Sequence, residues 1–85
     1  MTRLCDISVG ECVVVRVLIA HGALRRRFLD IGLVGGTLTE CVGKSPSGDP
    51  AAYLIRGAVI ALRSCDAAKI LVERTGRCTN AVQTG

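Results

Sequence analysis

Five cysteines, at positions 5, 12, 41, 65 and 78, and one histidine, His21, are the side chains of this 85-residue chain most able to ligate a metal or attack a substrate. Their spacing argues against both. No two cysteines stand in C-x-x-C register, their number is odd, and one imidazole cannot supply the three or four donors that iron or zinc takes. Reduced thiols are expected, with Cys12 and Cys41 acting as small hydrophobes inside apolar segments and His21 as a turn residue. Gly43-Lys44-Ser45 looks like the tail of a phosphate-binding loop, but Leu38 stands where the first glycine is required and a proline loop follows in place of a helix. No serine or cysteine has a histidine partner other than His21. The chain is therefore read as having no catalytic residue, no metal ligand and no cofactor.

Binding chemistry is better represented. Arg25, Arg26 and Arg27 are consecutive, and a helix fans three such residues over most of its circumference. They suit phosphate, lipid headgroups or an acidic protein surface, or else form a solvated helix face, with the Arg27 stem packing on the core as a further structural role. Leu24, Phe28 and Leu29 are the apolar part of the same segment. Phe28 is assigned to the core, while Leu24 and Leu29 can leave an apolar flank open for docking. The loop from Ser45 to Tyr53 is a second contact candidate, although Gly48-Asp49-Pro50 makes a turn for stereochemical reasons alone. The candidate partner-binding residues are Leu24, Arg25, Arg26, Leu29, Asp49 and Tyr53.

The elements that must carry these residues are short. Val13, Val15, Val17 and Ile19 alternate from Glu11 to Ala20, which predicts a strand with these four on one face. From Ala23 the period changes: Leu24, Phe28 and Ile31 stand at i, i+4 and i+7, the pattern of a helix of about two to three turns, with Gly32 as its stop. Arg26 and Asp30 are placed to pair across one turn. Further strands are expected over Thr37 to Val42, Tyr53 to Gly57 and Ala58 to Arg63, with a tight bend or bulge at Gly57, and a last one containing Ile70 and Val72. Ser64 is expected to cap one helical turn over Cys65 to Ala68. Residues 1–74 form the folded domain in this reading, and 75–85 a polar, frayed tail. About five short strands and one helix suggest a mainly β barrel closed on itself, which would remove sheet edges.

Composition sets the limits. The chain is 49% hydrophobic with only Phe28 and Tyr53 as aromatics, enough for one aliphatic core and no second domain. The apolar run from Cys12 to Ala20 is cut by Arg16 and is too short to span a bilayer, and Arg3 and Asp6 interrupt any signal sequence, so a cytoplasmic protein is expected. The formal charge of +4 favours an anionic partner without demanding nucleic acid.

An ordered series of blocks resembles the FeoA family, small proteins encoded with the ferrous iron transporter FeoB. It begins at Leu4, Asp6, Ile7 and Gly10-Glu11, and is strongest over Gly22-Ala23-Leu24-Arg25-Arg26-Arg27-Phe28-Leu29-Asp30-Ile31-Gly32-Leu33. It continues through Gly36-Thr37, Ser45-Pro46-Ser47-Gly48-Asp49-Pro50, Tyr53, Arg56-Gly57, Ile60-Ala61-Leu62-Arg63, Asp66-Ala67, Ile70 and Val72. Gly35 stands where the family often has proline, and Phe28 where it usually has leucine. The resemblance implies an SH3-like barrel with a helical insertion after the first strand, and a non-enzymatic, regulatory role in ferrous iron uptake. It also implies a FeoB partner, which joins a membrane channel to a cytoplasmic GTP-binding domain; a weak homo-oligomer is left open. The alternative is a basic small-barrel module that binds nucleic acid through Arg25, Arg26, Arg27 and Lys44, against which the lack of stacking aromatics weighs.

Overall fold

Alternating aliphatic residues build one antiparallel sheet, and the computed structural model describes residues 2–77 of it. In chain order the elements are β1 (Thr2–Arg3), a short 3-10 turn (Leu4–Asp6), β2 (Glu11–Leu18), α1 (Gly22–Asp30), β3 (Leu38–Lys44), β4 (Ala51–Ile55), β5 (Ala58–Leu62), α2 (Ser64–Ala67) and β6 (Ile70–Arg77). The spatial order is β1-β6-β2-β3-β4-β5. The sheet thus has six strands where about five were expected, and it does not close, because β1 and β5 are its unpaired ends. The chain leaves β1 after two residues and turns into the 3-10 segment, which packs on α2 beside the fully buried Leu4 and Ala67. Apolar cover replaces the last ladder.

The inner face gathers Val13, Val15, Cys41, Tyr53, Ile55, Leu62, Ile70 and Val72, onto which Phe28 and Leu33 pack. Each fully buried aliphatic or aromatic side chain contributes about 1.5–3 kcal/mol, so this cluster dominates the stability of so small a domain. The expectation for β2 is only half met. Val13 and Val15 are buried, but Val17 and Ile19 are 42% and 46% exposed. The register shows why: Val15 pairs with Val72 and Val17 with the adjacent Leu71, so Arg16 is an extra residue that reverses the alternation. Arg16 instead meets Glu73 on β6, Nη2 to Oε1 at 2.6 Å. The strand also ends at Leu18, two residues early.

α1 ends as its sequence requires. Gly32 has φ +99°, the Leu33 amide donates to the Phe28 carbonyl at 2.9 Å and the Gly32 amide to Leu29 at 3.1 Å. These two bonds and the buried Phe28 and Leu33 complete a Schellman stop. The bend expected at Gly57 is a two-residue turn in which Arg56 and Gly57 both have positive φ, 50° and 85°. That matches the primed turns whose twist suits a hairpin.

Two other expectations change. Ser64 is not the cap of α2: its own backbone N–H donates to the Asp49 carboxylate, Oδ1 at 2.8 Å, so the helix start is satisfied from a loop 15 residues upstream. Cys12 is disulfide-bonded, against the expectation of reduced thiols throughout, whereas Cys5, Cys41 and Cys65 are free. β6 continues to Arg77, pairing Gly76 with Cys12 and Arg77 with Glu11, and so passes the boundary drawn at residue 74. The rest of the expected tail, residues 78–85, lies outside the described residues.

Candidate partner-binding surface

α1 is set on the sheet by three attachments. Leu24, Phe28 and Ile31 face the core, with Phe28 fully buried and the other two half-buried. The Thr37 hydroxyl, in the segment leading to β3, donates to the Gly32 carbonyl at 2.7 Å and accepts from the Val34 amide at 3.3 Å. The Arg56 stem lies across Gly32, where any Cβ would collide with it. That places a guanidinium near the carbonyl end of α1, where positive charge complements the helix dipole. Neither Arg56 nor Thr37 was singled out as a site residue from sequence, although the positive φ demanded by the Arg56-Gly57 pair is the kind of signal that flags such a turn.

With that face committed, the solvent side is determined by helical geometry. Arg25 and Leu29 are four residues apart, and Arg26 and Leu29 three apart, so the three adjoin on one flank. Arg25 and Arg26 are exposed and Leu29 is 39% exposed. The ion pairs among the described residues are Arg3–Asp6, Arg16–Glu73 and Arg74–Glu11. The expected Arg26–Asp30 pair is not formed, and the arginines of α1 keep their charge available.

The remaining candidates lie elsewhere. Leu24 sits at the core margin of α1. Tyr53 is 1% exposed, and its hydroxyl donates to the Leu4 carbonyl at 3.4 Å, so its ring belongs to the core and offers no free surface. Burial, then the nearby Cys41 and Cys5, pushes its phenol up to about 12. Burial and the adjacent Asp6 likewise raise the Cys5 thiol. Asp49 is exposed but serves as the α2 cap, at the end of β4 remote from Arg56, roughly 17 Å away along the strand. The six candidates therefore divide into a helix flank of Arg25, Arg26 and Leu29, a loop position at Asp49, the half-buried Leu24 at the core margin, and Tyr53 turned inward.

Lys44 ends β3 beside that loop, whereas the β2 exit into α1 and the Arg56 turn occupy the opposite end of the sheet. The four cations of the nucleic-acid alternative are thus not one stripe, and both aromatics are buried. Among the described residues no three His, Cys, Asp or Glu side chains group as a metal site, and no helix is long and apolar enough to cross a membrane.

An open, six-stranded antiparallel sheet bearing one inserted helix with a basic flank defines a small domain of SH3-like type. The chain belongs to the FeoA family: the FeoA domain model matches residues 2–74. It is 37% identical over 71 residues to an Fe(2+) transport protein A/Fe(2+) transporter FeoB fusion protein of Porphyromonas gingivalis, covering 84% of this chain and 8% of that protein. This chain thus spans under a tenth of that relative's length. Among solved structures, FeoA of Chlorobium tepidum superposes with a TM-score of 0.83 at 29% identity, covering 88% of this chain and 71% of that one. FeoA of Stenotrophomonas maltophilia, described as an SH3 domain protein and complexed with zinc, superposes with a TM-score of 0.75 at 27% identity, covering 86% and 91%. The family is an accessory one associated with ferrous iron transport.

Proposed function

We propose that this protein is a non-enzymatic regulatory module of ferrous iron uptake that acts in the cytoplasm by binding the cytoplasmic part of a FeoB-type transporter. The observation that carries the reading is the Porphyromonas gingivalis relative, in which a transport protein A segment and FeoB are one polypeptide. Fusion holds two segments at high effective concentration, which favours even a modest interface between them. The helix flank is the surface suited to that task. Arg25 and Arg26, which form no ion pair among the described residues, supply positive charge beside the partly exposed Leu29, and arginine is enriched where proteins dock. Leu24 lends apolar area at the margin, and Asp49 marks a second contact point at the far end of β4.

Titration of the chain against the soluble cytoplasmic region of the transporter, with and without guanine nucleotide, tests the reading. Saturable binding together with impaired ferrous iron uptake on gene deletion is expected. Absence of binding in every nucleotide state, with uptake unchanged, would overturn it.

A further inference from the structure

The two edges of the sheet are unlike. β1 offers two residues, one of them Arg3, whereas β5 presents Ala58-Val59-Ile60-Ala61-Leu62, with neither charge nor proline. Shortness, charge and proline are the usual means of keeping an edge from pairing with another chain, and β5 has only modest length in its favour. Val59, 64% exposed, is the most exposed large hydrophobe of the described residues.

The hydrogen-bonding groups of β5 can be assigned. The two-residue turn Arg56-Gly57 makes Ile55 and Ala58 the hydrogen-bonded closing pair, so alternation along the ladder makes Tyr53–Ile60 and Ala51–Leu62 hydrogen-bonded too. Val59 and Ala61 then aim their N–H and C=O groups away from β4. Among the described residues, no turn or loop backbone bond reaches either one.

We propose that β5 pairs antiparallel with β5 of a second copy about a twofold axis at Ile60. In that register Val59 meets Ala61 of the second copy and Ala61 meets its Val59. All outward N–H and C=O groups of the two residues are then satisfied, and Ile60 faces itself. A shift centred on Val59 would set Ala61 against Gly57 of the turn. A shift centred on Ala61 would draw Arg63 into the ladder, although its carbonyl already accepts from the Asp66 and Ala67 amides. The uncharged strand gives two molecules of charge +4 a neutral seam, with Val59 covering Ala61 on the outer face. The seam is short of the roughly 1,000 Å² that marks a stable interface, so the dimer is weak, forms at high concentration and is strengthened by salt, which screens the repulsion between the copies.

Sedimentation of the full chain from about 20 μM to about 1 mM, a span chosen for affinities in the millimolar-to-micromolar range, tests the proposal. Self-association is expected, with amide exchange at Val59 and Ala61 slowing as concentration rises while Ile60, already bonded to β4, is unchanged. Ala61→Pro removes only an outward N–H, which a proline on an edge strand tolerates, and should weaken the dimer about tenfold or more because two of its four bonds are lost. Val59→Lys should do the same without constraining the backbone. A monomer throughout the range overturns the proposal, as does a dimer that neither substitution weakens, or one that non-reducing electrophoresis shows to be covalent.

Discussion

The Thr39 hydroxyl lies between Val13 and Ile55 on the inner face of the sheet, fully buried and without a hydrogen-bond partner among the described residues. A buried hydroxyl left unsatisfied costs about 1–3 kcal/mol, and valine has nearly the same shape without it. Thr39→Val should therefore raise stability by about 1–2 kcal/mol, seen as a higher urea midpoint at unchanged slope; an equal or lower midpoint would show that the hydroxyl is satisfied in solution. Tyr53 gives a pH signature. Its phenol is pushed up to about 12 by burial, above the ordinary value near 10, so over that interval the folded state holds a proton that the unfolded state has lost. Stability attributable to this group is intact below about pH 10 and falls as pH rises towards 12, by at most about 1.4 kcal/mol per unit. The difference between wild type and Tyr53→Phe, measured by denaturant titration at several pH values, should shrink over that interval. At this scale the sequence was legible where alternation held, as at Val13, Val15, Ile70 and Val72. It misled at Tyr53, whose place beside a polar loop suggested a surface residue although β4 turns its ring inward.

At the scale of elements, local signals identified α1 and most strands, since the 3.6-residue period of Leu24, Phe28 and Ile31 and the glycine after them are stereochemical requirements. What was hidden was set by partners distant in sequence. The bulge at Arg16 depends on β6, and the cap of α2 depends on Asp49. Asp49→Ala should consequently destabilise the fold by about 0.5–2 kcal/mol, the usual range for losing a helix cap. The Ser64 amide should lose exchange protection at the same time. Loss of partner binding with Ser64 protection intact would instead make Asp49 purely a contact residue. Gly32→Ala acts at the other end of the molecule. It forces a Cβ into a left-handed backbone and into the Arg56 stem, so a loss of at least about 1 kcal/mol is expected, measured by thermal or urea unfolding. If Arg56 can simply swing aside, Arg56→Ala should recover the steric part of the loss and leave the backbone part.

For the whole molecule, the class of fold followed from many short β segments around one helix, but closure did not, because strand order is a property of long-range pairing that alternation cannot report. Net charge was legible as +4, whereas its layout was not: the sheet separates Lys44 from the arginines of α1 and leaves Arg25 and Arg26 without acidic partners among the described residues. That layout makes the binding proposal testable by charge. Reversing both, Arg25→Glu with Arg26→Glu, should leave the fold intact because neither side chain is buried or paired, a point checked by an unchanged unfolding midpoint. Association with the transporter's soluble region should weaken about tenfold or more near 0.05 M salt, mainly through a slower on-rate, since exposed interface charges steer encounter. Near 0.5 M salt the difference should largely vanish, because the screening length is then only about 4–5 Å. A double variant that binds like wild type at low salt, beside an Asp49→Ala variant that does not, would move the docking surface from the helix flank to the loop at the far end of β4.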